Sequence, residues 1–386
     1  MRVSYLRHFT FTESALYSSI RIQGYRGLDS FRMQGLGRVN LLVGANNCGE
    51  TSILECIELL RSPGTPRVLS DITRRRREWR YSSDEDPTIP LGARSDGLDV
   101  SHLFANGERR GQLRIEADRS NDIAATGWNN TVTVYVEDPT VRDYDEWGAE
   151  VPEGAEDERL VLHVESSDPD DHYKVILTDE GLLLRPQLSI CGRNGSSQTV
   201  QFVRTTGITA ADVVRTFNKF VLTPKEKAIT EALRIVEPAI ERIAAIADDR
   251  GRFDRNAPGG VVLKLREVVD RVPIGSVGDG TWRMLGLALS LANAEGGVLL
   301  VDEIDTGFHF SVMEYMWRMM NEQAGTLSVQ VFATTHGRDC YESLAVIAKS
   351  EPGDVTIQRI DRSRNEAVRF SREAILAAAE RGIEVR

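Results

Sequence analysis

The chain has 386 residues, of which 41% are hydrophobic and 27% charged; 47 basic against 58 acidic side chains leave a net charge of −11. That length holds one large domain or two medium ones, and the charge argues against a surface coated with nucleic-acid contacts while leaving room for a local basic groove. No stretch reaches the roughly 18 consecutive apolar residues of a membrane helix, Met1–Phe11 has no apolar run of the signal-peptide kind, and the four cysteines form no C-x-x-C pair. A soluble protein of the reducing cytoplasm is expected.

In chain order, Ser18–Ile22 reads as a short strand before the turn Gly24-Tyr25-Arg26-Gly27. Val39–Val43 is a compact apolar run, as a buried parallel strand requires. A glycine-bearing loop follows, and then Ile53, Leu54, Ile57 and Leu60 recur at helical spacing. The basic run Arg74–Arg77, with Arg80 after it, is either a solvated helix face or a set of phosphate contacts. From about 84 to 206, alternating runs at Gln112–Ala117, Thr131–Glu137, Leu160–Glu165 and Tyr173–Leu184 predict antiparallel strands.

From Ala210 to Asp248 the pattern predicts helix, with Ile229, Leu233, Val236, Ile240, Ile243 and Ile246 on one face and a kink or break at Pro238. Val261–Leu265 reads as a strand. The last third predicts a helix over Gly280–Asn293, a buried strand Val298–Val301, a helix Ser311–Glu322, a strand Val329–Ala333, a hairpin (Val355–Ile360, Ala367–Phe370) and a final helix Ser371–Arg381. The expected architecture is α/β: residues 1–83 and 251–386 as two halves of one domain, and 84–250 as a β-rich and helical insertion.

Four stretches carry candidate chemistry. Gly44-Ala45-Asn46-Asn47-Cys48-Gly49-Glu50-Thr51 follows G-x-x-x-x-G-K-[ST] except that Glu50 stands at the lysine position. Such a loop lets backbone N–H groups of Asn46 to Ser52 approach phosphate oxygens at a helix N-terminus, with the Thr51 hydroxyl on Mg²⁺. The strand Val298–Val301 delivers Asp302 and Glu303: one carboxylate to hold Mg²⁺, the other to polarise an attacking water. His336, just past the buried strand in Phe332-Ala333-Thr334-Thr335-His336, either touches a γ-phosphate or is a satisfied structural histidine. Ser276, Gly278 and Gly280 precede an apolar helix and form either an anion site or a plain helix cap.

The order of these stretches resembles SMC-like and ABC-type P-loop ATPases. It is most similar to the branch of the overcoming-lysogenization-defect (OLD) proteins, the RecF-like proteins and related bacterial phage-defence ATPases. Arg26–Cys56 and Pro273–Tyr341 carry the likeness. It implies ATP and Mg²⁺ as ligands and a homodimer or higher oligomer closed head-to-tail over ATP. Ser276, Gly278 and Gly280 would then form the signature motif facing a partner's γ-phosphate, Asp305 the D-loop position and His336 the switch histidine; Arg26 would lie near the nucleotide. No Q-loop glutamine is identified. The OLD nucleases continue into a Toprim domain for which this chain has no room, so an ATPase subunit controlling a separately encoded effector, such as a Toprim nuclease, is expected. A non-hydrolysing scaffold and a RecF-like DNA repair factor are the alternatives.

Glu50 reverses the charge that a lysine would offer the β- and γ-phosphates. At about 4 Å and an effective dielectric near 20, each unit pair is worth roughly 4 kcal/mol before relaxation. Impaired triphosphate binding is expected, unless Glu50 turns outward, takes a proton or pairs with an arginine.

Overall fold

The computed structural model describes residues 17–62, 65–80, 97–107, 111–119, 130–137, 160–168, 171–178, 181–182, 190–191, 199–246, 260–350, 355–370, 373–375 and 377. The Met1–Phe11 stretch and most of the expected last helix lie outside them.

All five residues of Val39–Val43 are buried, which is why this strand reads as an apolar run; Asn40, the polar exception, is hydrogen-bonded to Gly37 and to the Val331 carbonyl. It sits within five parallel strands, in the order Val200–Val203, Val298–Val301, Gln330–Thr334, Val39–Val43, Val355–Asp361. Successive side chains of a strand point to opposite faces. Leu41, Val43, Leu299 and Val301 therefore enter one core while Leu42, Leu300 and Phe332 enter the other. Beyond Val355–Asp361 the sheet changes character. That strand turns back antiparallel into Glu366–Phe370, which meets Leu28–Gln34 through the parallel pair Glu366 and Arg32.

Antiparallel pairing then runs through Tyr17–Tyr25, Gln112–Arg119, Asn130–Glu137, Leu160–Ser166 and Tyr173–Thr178. The alternating runs of the middle third thus extend the N-terminal strands, while Val200–Val203 borders the parallel core beside Val298–Val301.

The long helix expected from Ala210 to Asp248 is corrected. Two helices, Ala210–Phe220 and Pro224–Val236, are followed by a strand, Ile240–Ile246. Pro238 cannot continue a helix. The misleading signal was the three-residue spacing of Ile240 and Ile243. The pairing of Ile240–Ile246 with Gly260–Leu265 shifts register between Ile240 and Arg242, and this bulge turns both isoleucines inward. Helices Asp279–Asn293, Phe310–Thr326 and Arg338–Ser350 complete the α/β half. Among the described residues no helix is long and apolar enough to cross a membrane.

Candidate functional site

Because the five core strands are parallel, their C-terminal ends share one edge of the sheet, where open α/β folds present their ligand crevices. Four loops leave there: Gly44–Gly49, Asp302–Gly307, Thr335–Gly337 and Arg204–Gly207. Ladder-like bonds carry the strand register into them. The Asp302 N–H donates to the Val203 carbonyl at 2.8 Å, and that of Ile304 to the Thr334 carbonyl at 3.0 Å.

Asp302 is the hub. Its Oδ1 accepts from the hydroxyls of Thr51 at 3.2 Å and Thr334 at 2.9 Å, and its Oδ2 from Thr205 at 3.4 Å. One carboxylate among three hydroxyls is an all-oxygen donor set, the kind a hard Mg²⁺ ion selects. Thr51 and Asp302, both expected as metal ligands, are therefore brought together. Thr205 and Thr334 were missed: only strand order places Thr205 there, and Thr334 lies in the run singled out for His336 alone.

The loop itself needs two left-handed residues, Asn47 (φ 63°) and Gly49 (φ 104°). Gly44 is packed so tightly that a Cβ there would collide with the Cys48 sulfur, and it would also lie 3.3 Å from Glu50 Oε1. Asn46 and Asn47 are exposed; Cys48 and Ser52 are buried, and the Ser52 hydroxyl accepts from Arg76 at 3.2 Å. Arg362, also unforeseen, braces the loop by donating to the Asn47 and Gly27 carbonyls at 3.0 and 3.1 Å.

Glu50 does not turn outward and has no arginine partner among the described residues. It is only 6% exposed, its Oε1 has no hydrogen-bond partner, and that oxygen lies 3.9 Å from His336 Nδ1. Burial, with the neighbouring Glu50 carboxylate adding to it, pushes the Cys48 thiol up. The carboxylate thus lies over the loop and beside His336, where a helix N-terminus favours negative charge.

Glu303 adopts a left-handed backbone (φ 49°), donates its N–H to the Thr334 hydroxyl at 2.8 Å and accepts from Thr306 at 3.1 Å. Such strain in a non-glycine residue is common where a side chain must be aimed. Beneath it Arg283, 6% exposed, donates to four carbonyls, those of Arg204, Thr205, Asp302 and Glu303. Burial holds its pKa below the ordinary arginine value. This arginine ties the apolar helix Asp279–Asn293 to the Arg204–Gly207 and Asp302–Gly307 loops. It too was missed, though an arginine within Thr281–Leu291 was a visible anomaly.

Asp305 folds over Gly337, leaving no space for a Cβ there, and Gly280 packs near the Gly307 carbonyl at the 3.3 Å a Cβ would allow. Ser276 and Gly278 are exposed, with Gly278 (φ 111°) opening the helix, and among the described residues no hydrogen bond joins them to the loop 44–51. The structure thus gathers Gly44, Glu50, Thr51, Asp302, Glu303 and His336 along one edge and leaves Ser276 and Gly278 facing outward.

Arg26, expected near a nucleotide, contacts Glu78 and lies 3.3 Å from Glu55 on the helix that follows the loop. Glu55, fully buried on the helix Glu50–Arg61, also accepts from Tyr25 at 2.9 Å and from Arg76 at 2.8 Å. Arg75 pairs with Glu58. Half of the basic run therefore holds the helix Pro66–Arg76 against Glu50–Arg61, and the plain solvated-face reading fails for Arg75 and Arg76.

Residues 210–336 match the family described as "AAA domain, putative AbiEii toxin, Type IV TA system". The chain is 20% identical over 359 residues to a Helicobacter pylori (strain ATCC 700392 / 26695) protein described as an ATP/GTP phosphatase, covering 87% of this chain and 89% of that one. Among solved structures it is similar to an SMC head bound to the C-winged helix domain of ScpA, with TM-score 0.47, 12% identity and coverage of 92% and 98%. It is also similar to the Thermotoga maritima SMC head domain, with TM-score 0.40, 10% identity and the same coverage. The fold is mixed α/β with one large sheet, and within it residues 210–336 are similar to an AAA domain.

Proposed function

We propose that the chain is an ATPase subunit that closes head-to-tail with a second copy over ATP and thereby controls a separately encoded effector, such as a Toprim nuclease, in a bacterial phage-defence system. The observation that carries the nucleotide reading is the meeting of Thr51 and Asp302, 251 residues apart, at 3.2 Å beside a glycine loop at a helix N-terminus. In this reading loop N–H groups and the helix end bind the phosphates. Thr51 and Asp302 would hold Mg²⁺, whose charge neutralises the β- and γ-oxygens. Glu303 polarises the water that attacks the γ-phosphorus, and His336 donates to a γ-oxygen. The exposed Ser276 and Gly278 would meet the partner's γ-phosphate, with Gly280 and Asp305 alongside. The defence role rests on family resemblance and on no residue of the site.

Glu50 limits this activity, since its buried carboxylate opposes a triphosphate in the loop. The same observation favours a second reading, a scaffold that keeps the fold and assembles without hydrolysis. Sedimentation with and without Mg-ATP, together with phosphate release, separates the two. ATP-dependent dimers whose turnover is abolished by Glu303→Gln support the ATPase. Nucleotide-independent assembly, with no Mg-ATP binding even by Glu50→Lys, would sink it.

A further inference from the structure

The Pro66–Arg76 helix leaves a second feature that the nucleotide reading does not use. Two adjoining cavities, of about 400 and 380 Å³, share Arg74, Arg75, Phe202 and Arg204 in their walls. The first opens onto Thr51, Thr205 and Asp302, and the second runs on to Arg67. Together they make a groove that begins at the Asp302 hub and follows the helix away from it.

The charges in this groove are unequally satisfied. Arg75 is bound to Glu58 and lies 4.2 Å from the Phe202 ring, Arg76 is bound to Glu55, and Arg67 lies 3.4 Å from Asp71. Arg74, Arg77 and Arg204 are exposed, and among the described residues none of them has a carboxylate within ion-pair distance. On a chain of net charge −11, three uncompensated guanidiniums converging on one groove form a focused positive site rather than part of a general basic surface. Guanidinium forks are matched to phosphate oxygens.

Length selects the source of phosphate. The 11-residue helix Pro66–Arg76 is roughly 16 Å long at 1.5 Å per residue. At about 3.4 Å per nucleotide along one strand, this spans several consecutive backbone phosphates and exceeds the reach of a single triphosphate tail.

We propose that this groove binds the phosphate backbone of a single nucleic-acid strand, with Arg74, Arg77 and Arg204 as its free contacts and the strand directed toward Asp302. The site adds a partner to the proposed effector-controlling subunit, and its binding requires neither ATP nor dimerisation. Thr205 and the Arg204 carbonyl, held by Arg283, give the groove a rigid link to the metal position, so a bound strand would press on the same loop that carries Thr205.

The test is fluorescence anisotropy of a short labelled oligothymidine on the full chain without nucleotide, between about 50 and 200 mM salt. Arg74→Gln/Arg77→Gln/Arg204→Gln removes only exposed, unpaired side chains, and Arg67→Gln serves as a paired control. The triple variant is expected to lose more than tenfold in affinity at low salt. Its log–log salt slope should fall by about 2, from three contacts at roughly 0.7 each, while Arg67→Gln changes little. Equal binding by the chain and the triple variant overturns the proposal, as does no binding by the unmodified chain. Tripolyphosphate competing as well as the oligonucleotide at equal phosphate concentration overturns the strand assignment in favour of free polyphosphate. Because nucleotide is absent, each outcome is independent of whether ATP is hydrolysed.

Discussion

Replacing Glu50 with lysine tests the nucleotide site most directly. The carboxylate is 6% exposed, within 3.9 Å of His336 and close over Gly44, so a phosphate in the loop would lie at contact distance from it. One unit pair at about 4 Å and dielectric 20 is worth roughly 4 kcal/mol, and reversing the charge doubles that in the limit without relaxation. His336 is 41% exposed on its side chain, so water reaches the edge of the site and the net effect shrinks to about 2–4 kcal/mol. That corresponds to roughly 30- to 1,000-fold in affinity. Isothermal titration of Mg-ATP into both proteins reads it, and the Glu50→Lys protein is expected to bind far more tightly. Dissociation constants within a factor of about two would refute the argument, because they would mean that the Glu50 carboxylate does not face the bound phosphates.

Three further substitutions probe the frame around the site. Arg283→Met strands four carbonyl groups and should cost about 2–5 kcal/mol in urea unfolding, with a loss under 1 kcal/mol contradicting the clamp. Glu55→Gln leaves Arg26 and Arg76 without their shared buried carboxylate, and a loss of about 3–5 kcal/mol is expected in thermal unfolding; an unchanged midpoint would show the network to be dispensable. Gly297→Ala drives a methyl into the Thr199 carbonyl where Val200–Val203 joins Val298–Val301. Overpacking against backbone should cost about 1–3 kcal/mol, and calorimetry showing a wild-type melting temperature would overturn that account.

The parts legible in the sequence were those with local signatures. Val39–Val43, Val298–Val301 and the loop between Gly44 and Thr51 announce themselves through apolar runs and glycine spacing. The structure then brings Thr51 to Asp302. The illegible parts depend on which strands become neighbours. Thr205 reaches Asp302 only because Val200–Val203 lies next to Val298–Val301, and no periodicity encodes that. Arg75 and Arg76 looked like solvent-facing charges because their carboxylate partners sit on another helix. Ile240–Ile246 was read as helix because a bulge gave a strand the spacing of a helix. Glu50 was visible as a departure, but its inward rotamer beside His336 was not.

The position of Val39–Val43 also bears on how the protein is made. In the sheet it lies between Gln330–Thr334 and Val355–Asp361, and the bond from Asn40 to the Val331 carbonyl closes 291 residues of sequence. At about 5–20 residues per second, the ribosome emits the loop strand roughly 15–60 seconds before either flanking strand exists. Throughout that interval a largely apolar segment with two open edges is attached to a growing chain, which is the exposure that invites mispairing. The parallel core therefore closes only when the C-terminal third arrives, last of the chain to be made.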